Sequence, residues 1–155
     1  MSELTADQVL DGIKAWAERA FVASDLKVET QLHGGRFLSA ELERYATRSM
    51  ACRIALEGLK FNLNGQGKLV ATALVVVVGL AGDLGKAGSR AGNVLRLLAP
   101  LQAALPGTKH DLELMDSIDA KDVRAANLYN AALEGRNCAA WVLAWPVKFQ
   151  HPRVR

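Results

Sequence analysis

The apolar positions of this chain fall into three patterns: helical spacing, strict alternation and one solid run. Val9, Ile13, Trp16 and Ala20 recur at steps of four, three and four, and Leu10, Ala17 and Phe21 widen the stripe. Thr5 and Gln8 stand at capping-box spacing before it, and Asp7 occupies the first turn, where the helix dipole favours negative charge. This predicts an amphipathic helix, ended by Ser24 and Asp25, that covers a sheet. Leu26, Val28, Thr30 and Leu32 then alternate with Lys27, Glu29 and Gln31, which predicts a half-buried strand. His33-Gly34-Gly35-Arg36 breaks it, and Ser39 offers an N-cap for a short helical turn carrying Glu41, Leu42 and Tyr45. From Met50 to Leu56 alternation returns, with Met50, Cys52, Ile54 and Leu56 inward and Arg53 and Glu57 outward. It runs on weakly through Phe61 and Leu63.

The solid run is Leu69 to Leu80, LVATALVVVVGL. As a helix it would rise roughly 1.5 Å per residue, far short of a bilayer core of about 30 Å, so it does not read as a membrane span. Four consecutive valines favour a pleated backbone. A strand that is apolar on both faces needs cover on both, from helices or from neighbouring subunits. Asn64-Gly65-Gln66-Gly67 predicts the turn that joins it antiparallel to the preceding strand.

Gly79 to Ser89, with four glycines, reads as a flexible connection. A helix from about Ser89 to Leu105 follows, with Val94, Leu98, Leu101 and Leu105 on one face; Pro100 predicts a kink or break, and Pro106-Gly107 a stop. His110 to Lys121 is polar and irregular, with a short extended piece at Leu112 and Leu114. Val123 to Asn130 and Cys138 to Phe149 close the chain as a strand pair. Pro146 sets the last strand at an edge or in a bulge at that point. The order helix, three strands, helix, two strands predicts an α+β fold: an antiparallel or mixed sheet of about five strands covered by two main helices. The 155 residues suffice for one domain, 1–155, with a flexible basic tail at 150–155.

Half of the residues are hydrophobic, an apolar composition that favours burial between chains. The net charge of +3 is too mild to imply nucleic-acid binding, but it is unevenly spread. Five acids and one lysine lie between Asp111 and Asp122, and four bases and no acid from Arg136 to Arg155. One subunit's tail is thus suited to meet another's acidic loop. Cys52 and Cys138 sit among apolar neighbours with no metal-binding spacing, and the N-terminus has no signal-like core; both fit a reducing cytoplasm.

No catalytic set emerges. The run from Val75 to Arg90 has the order strand, glycine loop, lysine, helix, yet Gly85-Lys86 lacks the required glycine at position 80 and is followed by Ala87. His33, His110 and His151 lie in separate connections without a second ligand at metal spacing. Asp116, Asp119 and Asp122 have no EF-hand spacing around them, and His33-Gly34-Gly35 has no nucleophile elbow to serve. No cofactor or metal is expected.

Taken together, Gly34-Gly35-Arg36-Phe37, the strand from Met50 to Glu57, the apolar strand at Ala71 to Leu80, the leucine-rich helix at Arg90 to Leu105 and Arg136-Asn137-Cys138-Ala139-Ala140-Trp141 form a familiar series. In this series the chain, from about 5 to 150, resembles the tail terminator (tail completion) proteins of Mu-like bacteriophages and prophages. The resemblance implies a non-enzymatic α+β subunit of the virion, assembled in the host cytoplasm. Such subunits form a hexameric ring on the head-proximal end of the tail tube, stop its polymerisation and join it to the head connector. Partners are then other copies of the chain, the tube protein and the neck protein, with genomic DNA passing through the channel without sequence-specific binding and no membrane involved. The alternatives are another neck or tube component, or a nucleotide-binding enzyme using the Gly79 to Arg90 loop. Residue type marks Arg36, Phe37, Lys86, Arg90, Lys148, Arg153 and Arg155 as candidates for the subunit or tube interface.

Overall fold

The computed structural model describes residues 2–34, 50–82, 90–128 and 138–154. Helix α1 (Ala6–Ala23) starts at the predicted capping box. The Thr5 hydroxyl accepts from the Gln8 amide and the Gln8 side chain from the Thr5 amide, which satisfies two of the donors a helix start leaves open. Its stripe, Val9, Ile13, Trp16, Ala17 and Phe21, is buried. Strands β1 (Val28–Leu32), β2 (Met50–Leu63) and β3 (Leu69–Gly82) follow, then helix α2 (Arg90–Ala104), a 3-10 turn (Ala120–Asp122), and strands β4 (Arg124–Asn127) and β5 (Cys138–Gln150). The sheet order is β1-β2-β3-β5-β4, with β1 parallel to β2 and every other pair antiparallel. This is the α+β fold with a five-stranded mixed sheet that the element order predicts.

The apolar run becomes the middle strand. Its alternate residues Ala71, Ala73, Val75 and Val77 join the core beneath the helices, with Cys52 and Ile54 of β2 and Leu143, Trp145, Val147 and Phe149 of β5. From α2, Val94, Leu97, Leu98 and Leu101 close the same core. Val76, Val78 and Leu80 point the other way into a second, smaller cluster with Ala51, Cys138 and Ala140. Both faces of the upper half of β3 are buried, as its composition requires.

Several local expectations need correction. Gly79 to Gly82 belongs to β3 and not to a flexible link; positions 83–89 lie outside the described residues. Gly79 is needed because a Cβ there would come 2.9 Å from Leu97 Cδ2 and 3.0 Å from Leu98 Cδ2, so α2 rests on bare backbone. Helix α2 runs on through Pro100 without a break, since losing one amide inside a helix packed by four core residues is tolerated. Leu112 and Leu114 form no strand: Leu112 N bonds to Lys109 O in a turn, and Leu114 plugs the core. The fourth strand is shorter than Val123 to Asn130, ending at Asn127. Arg53, predicted outward, does leave the helix-covered core but is buried at 6% exposure; its guanidinium donates to Glu29 O (3.2 Å) and Cys52 O (3.1 Å) and meets Glu29 Oε1 at 3.3 Å. The helical turn after Ser39 lies outside the described residues.

Two features govern the lower half of the sheet. Between Leu56 and Leu59 the β2–β3 register shifts, at Gly58 with φ +86°. This bulge exchanges the faces of β2, so the inward set changes from Met50, Cys52, Ile54 and Leu56 to Leu59, Phe61 and Leu63. On β5, the Lys148 carbonyl accepts from Met115 N (2.9 Å) and the Gln150 carbonyl from Leu4 N (2.8 Å), both turned away from β3. Antiparallel alternation gives Pro146 the same aspect. Its missing amide therefore faces the outer side, just beyond Ala144, the last partner of β4, and no β3–β5 bond is lost.

Truncation of Leu98 to Ala should cost about 2–5 kcal/mol by leaving a cavity. Gly79→Val should cost about 1–3 kcal/mol by forcing α2 off the sheet. Urea denaturation of the two variants checks both.

Candidate interaction surface

The β2–β3 hairpin reaches past the helices. Its turn is held by Asn64, whose side-chain oxygen accepts from Gln66 N (3.0 Å) and Lys68 N (2.9 Å), with Gly67 at φ +72°. Along the β2 arm, Leu59, Phe61 and Leu63 lie on the helix side yet are 37%, 48% and 53% exposed, because no helix among the described residues extends that far. His151 is the ring neighbour of Phe61, edge-on at 5.2 Å between centroids. Behind this row, on the second face, Lys60, Thr72 and Lys148 lie abreast across β2, β3 and β5.

Of the residues chosen by type, Lys148 and Arg153 come together on this hairpin. Lys148 is exposed beside Thr72, and Arg153 Nη1 donates to Gly67 O at 2.9 Å. His151 N also bonds to Leu69 O, so the start of the basic tail is fastened to the turn. Arg90 opens α2, away from the hairpin. Arg36, Phe37, Lys86 and Arg155 lie outside the described residues. The sequence reading missed Lys60, Leu59, Phe61 and Leu63 as surface candidates; the signal was present in the switch of apolar parity from even to odd positions after Leu56.

The acidic segment is partly used within the chain. Asp111 pairs with Arg19 of α1, Asp119 with Lys121, and Glu113 accepts from the Ser2 amide, which holds its carboxyl below the usual range. Asp116, Asp119 and Asp122 line a shallow cavity of about 220 Å³ with Thr72, Pro146 and Lys148. Among the described residues no group of three His, Cys, Asp or Glu side chains could hold a metal. No helix there is long and apolar enough to cross a membrane.

One buried polar group stands out. His110, 1% exposed, is pinned between two tryptophans: Trp145 Nε1 donates to its Nε2 at 3.0 Å, and the Trp16 ring stands edge-on at 4.5 Å. Nε2 accepts, so the neutral ring carries its proton on Nδ1, which is buried without a partner among the described residues. Burial lowers the His110 pKa from 6.5 to about 4, with Asp111 raising it in part. The ring is thus enclosed where α1 meets β5. The Cys52 thiol, pushed up to about 12 by burial, is no nucleophile.

Between about pH 6.5 and 4 the unfolded chain binds a proton at His110 that the folded chain refuses. Stability is therefore full above 6.5 and falls as the pH drops through that window, by on the order of 3 kcal/mol. His110→Gln should flatten that part of the pH–stability curve, which chemical denaturation at stepped pH checks. Comparison with protein-family models and with curated proteins finds no match to this chain.

Proposed function

We propose that this protein is a structural component of a phage virion: a tail terminator that closes the head-proximal end of a tail tube as a ring of six copies. It would join the tube to the neck, leave a channel for DNA and catalyse no reaction. The resemblance in the sequence motivates the reading. The observation that carries it is the hairpin arm, where Leu59, Phe61 and Leu63 stand in a row beyond the reach of α1 and α2. A row of this kind at a sheet edge suits contact with another chain, and the basic turn and acidic crossover supply the unlike patches that a head-to-tail ring needs.

The full chain mixed with tail tubes should appear in electron micrographs as one six-fold ring at one end of each tube, and tube length should stop increasing on its addition. Stacked rings along the tube would replace this reading with a tube subunit. A chain that stays monomeric and leaves tube ends bare would overturn it.

A further inference from the structure

Two strand edges in this fold differ in how they are finished. The lower half of β5 is capped on its outer side by Met115 and Leu4. The lower half of β2 has no such cover among the described residues, because β1 reaches only to Ile54. The register shows which groups are left open. Lys148 and Gln150 face outward, so Val147 and Phe149 bond to Ala73 and Ala71; Thr72 and Val70 then bond to Lys60 and Asn62. Leu59, Phe61 and Leu63 therefore direct both N–H and C=O away from the sheet. At the far edge, Arg124 and Ala126 bond to Ala144 and Val142, which leaves Ala125 and Asn127 of β4 directed outward.

We propose that the open arm of β2 takes β4 of a second copy as its next strand, head to tail; this deepens the ring reading and rests on it. Three antiparallel steps separate β2 from β4, so a copy set alongside in the same orientation presents β4 antiparallel to the arm. Ala125 and Asn127 share the helix side with Leu143 and Trp141, as Leu59 and Phe61 do with Ala73 and Ala71, so the joined sheet keeps its faces. With Phe61 opposite Ala125, the small side chain leaves room for the ring, and Leu59 meets Asn127. That register sets Asp119 and Asp122 of one copy, balanced by Lys121 and Arg124 beside them, next to the turn that carries Lys68 and Arg153 in the other, so the contact does not bring two basic patches together. An arm paired with another arm sets Phe61 against Phe61 about a two-fold axis and closes a pair that cannot continue into a ring. Ala125 is level with Val77 and Phe61 with Ala71, so neighbours are offset by six residues along β3, or roughly 20 Å at about 3.3 Å per residue. A sheet closing on itself needs such a stagger.

The test uses the full chain with cysteines at both positions, Phe61→Cys and Ala125→Cys, since a hydrogen-bonded antiparallel pair has about the Cα separation a disulfide accepts. Native Cys52 and Cys138 are buried. Oxidation should give a ladder of cross-linked oligomers from the double variant, dimers from an equimolar mixture of the two single variants, and no cross-link from either alone. Dimers from Phe61→Cys alone would mean arm-to-arm pairing and overturn the proposal. Rings without cross-links would overturn it and spare the ring reading; cross-links without rings on tubes would support it and overturn the tail assignment. Neither rings nor cross-links would overturn both. Phe61→Pro removes an amide that has no partner among the described residues, so assembly should weaken at least 10-fold while the monomer melting temperature stays within a few degrees. Wild-type assembly by that variant would also overturn the proposal.

Discussion

Strand β3 is bonded along nearly its whole length on both sides, to β2 and to β5, and its upper half is apolar on both faces. A strand so placed has no side it can expose, and the rest of the fold meets that demand. Helices α1 and α2 cover one face, and the second cluster of small side chains closes the other. Gly79 lets α2 approach closely enough to seal the core. Only toward the hairpin turn does the demand relax, where Thr72 and Leu74 replace the valines and the helices end.

The large features were legible because each rests on a local code. The capping box at Thr5 and Gln8, the turn at Asn64 to Gly67 and the alternation in β5 all depend on neighbours close in sequence. What misled the reading depends on residues far apart. Arg53 reads as solvated until β1 supplies a carbonyl for it. Pro100 reads as a break until the packing of α2 outweighs one lost bond. His110 reads as a loop residue, and only the fold brings Trp16 and Trp145 to enclose it. The interface candidates chosen by charge met the same limit: Lys148 and Arg153 gain meaning from the hairpin beside them, whereas the apolar row on that hairpin carries no charge to draw attention.

Sheet edges invite further strands, and proteins blunt the ones they do not use. Here the chain spends its N-terminal segment and the crossover after α2 on one edge, where Leu4 and Met115 bond to β5. It also places Pro146 where the missing donor does no harm. Against that care, the arm of β2, which no other described residue covers, is a contrast within a single sheet.

The bulge at Gly58 makes the presentation of that arm a matter of counting. Two residues, Glu57 and Gly58, stand opposite Leu74 alone, so removing one of them would straighten the strand and leave Leu59, Phe61 and Leu63 on the helix side in the same register. Removing both would turn Lys60 and Asn62 toward the helices and Phe61 to the back. Length variation in this stretch is thus constrained by parity: a homologous chain that keeps the same arm in use can lose the one bulged residue, whereas losing the next as well calls for a compensating change before the turn.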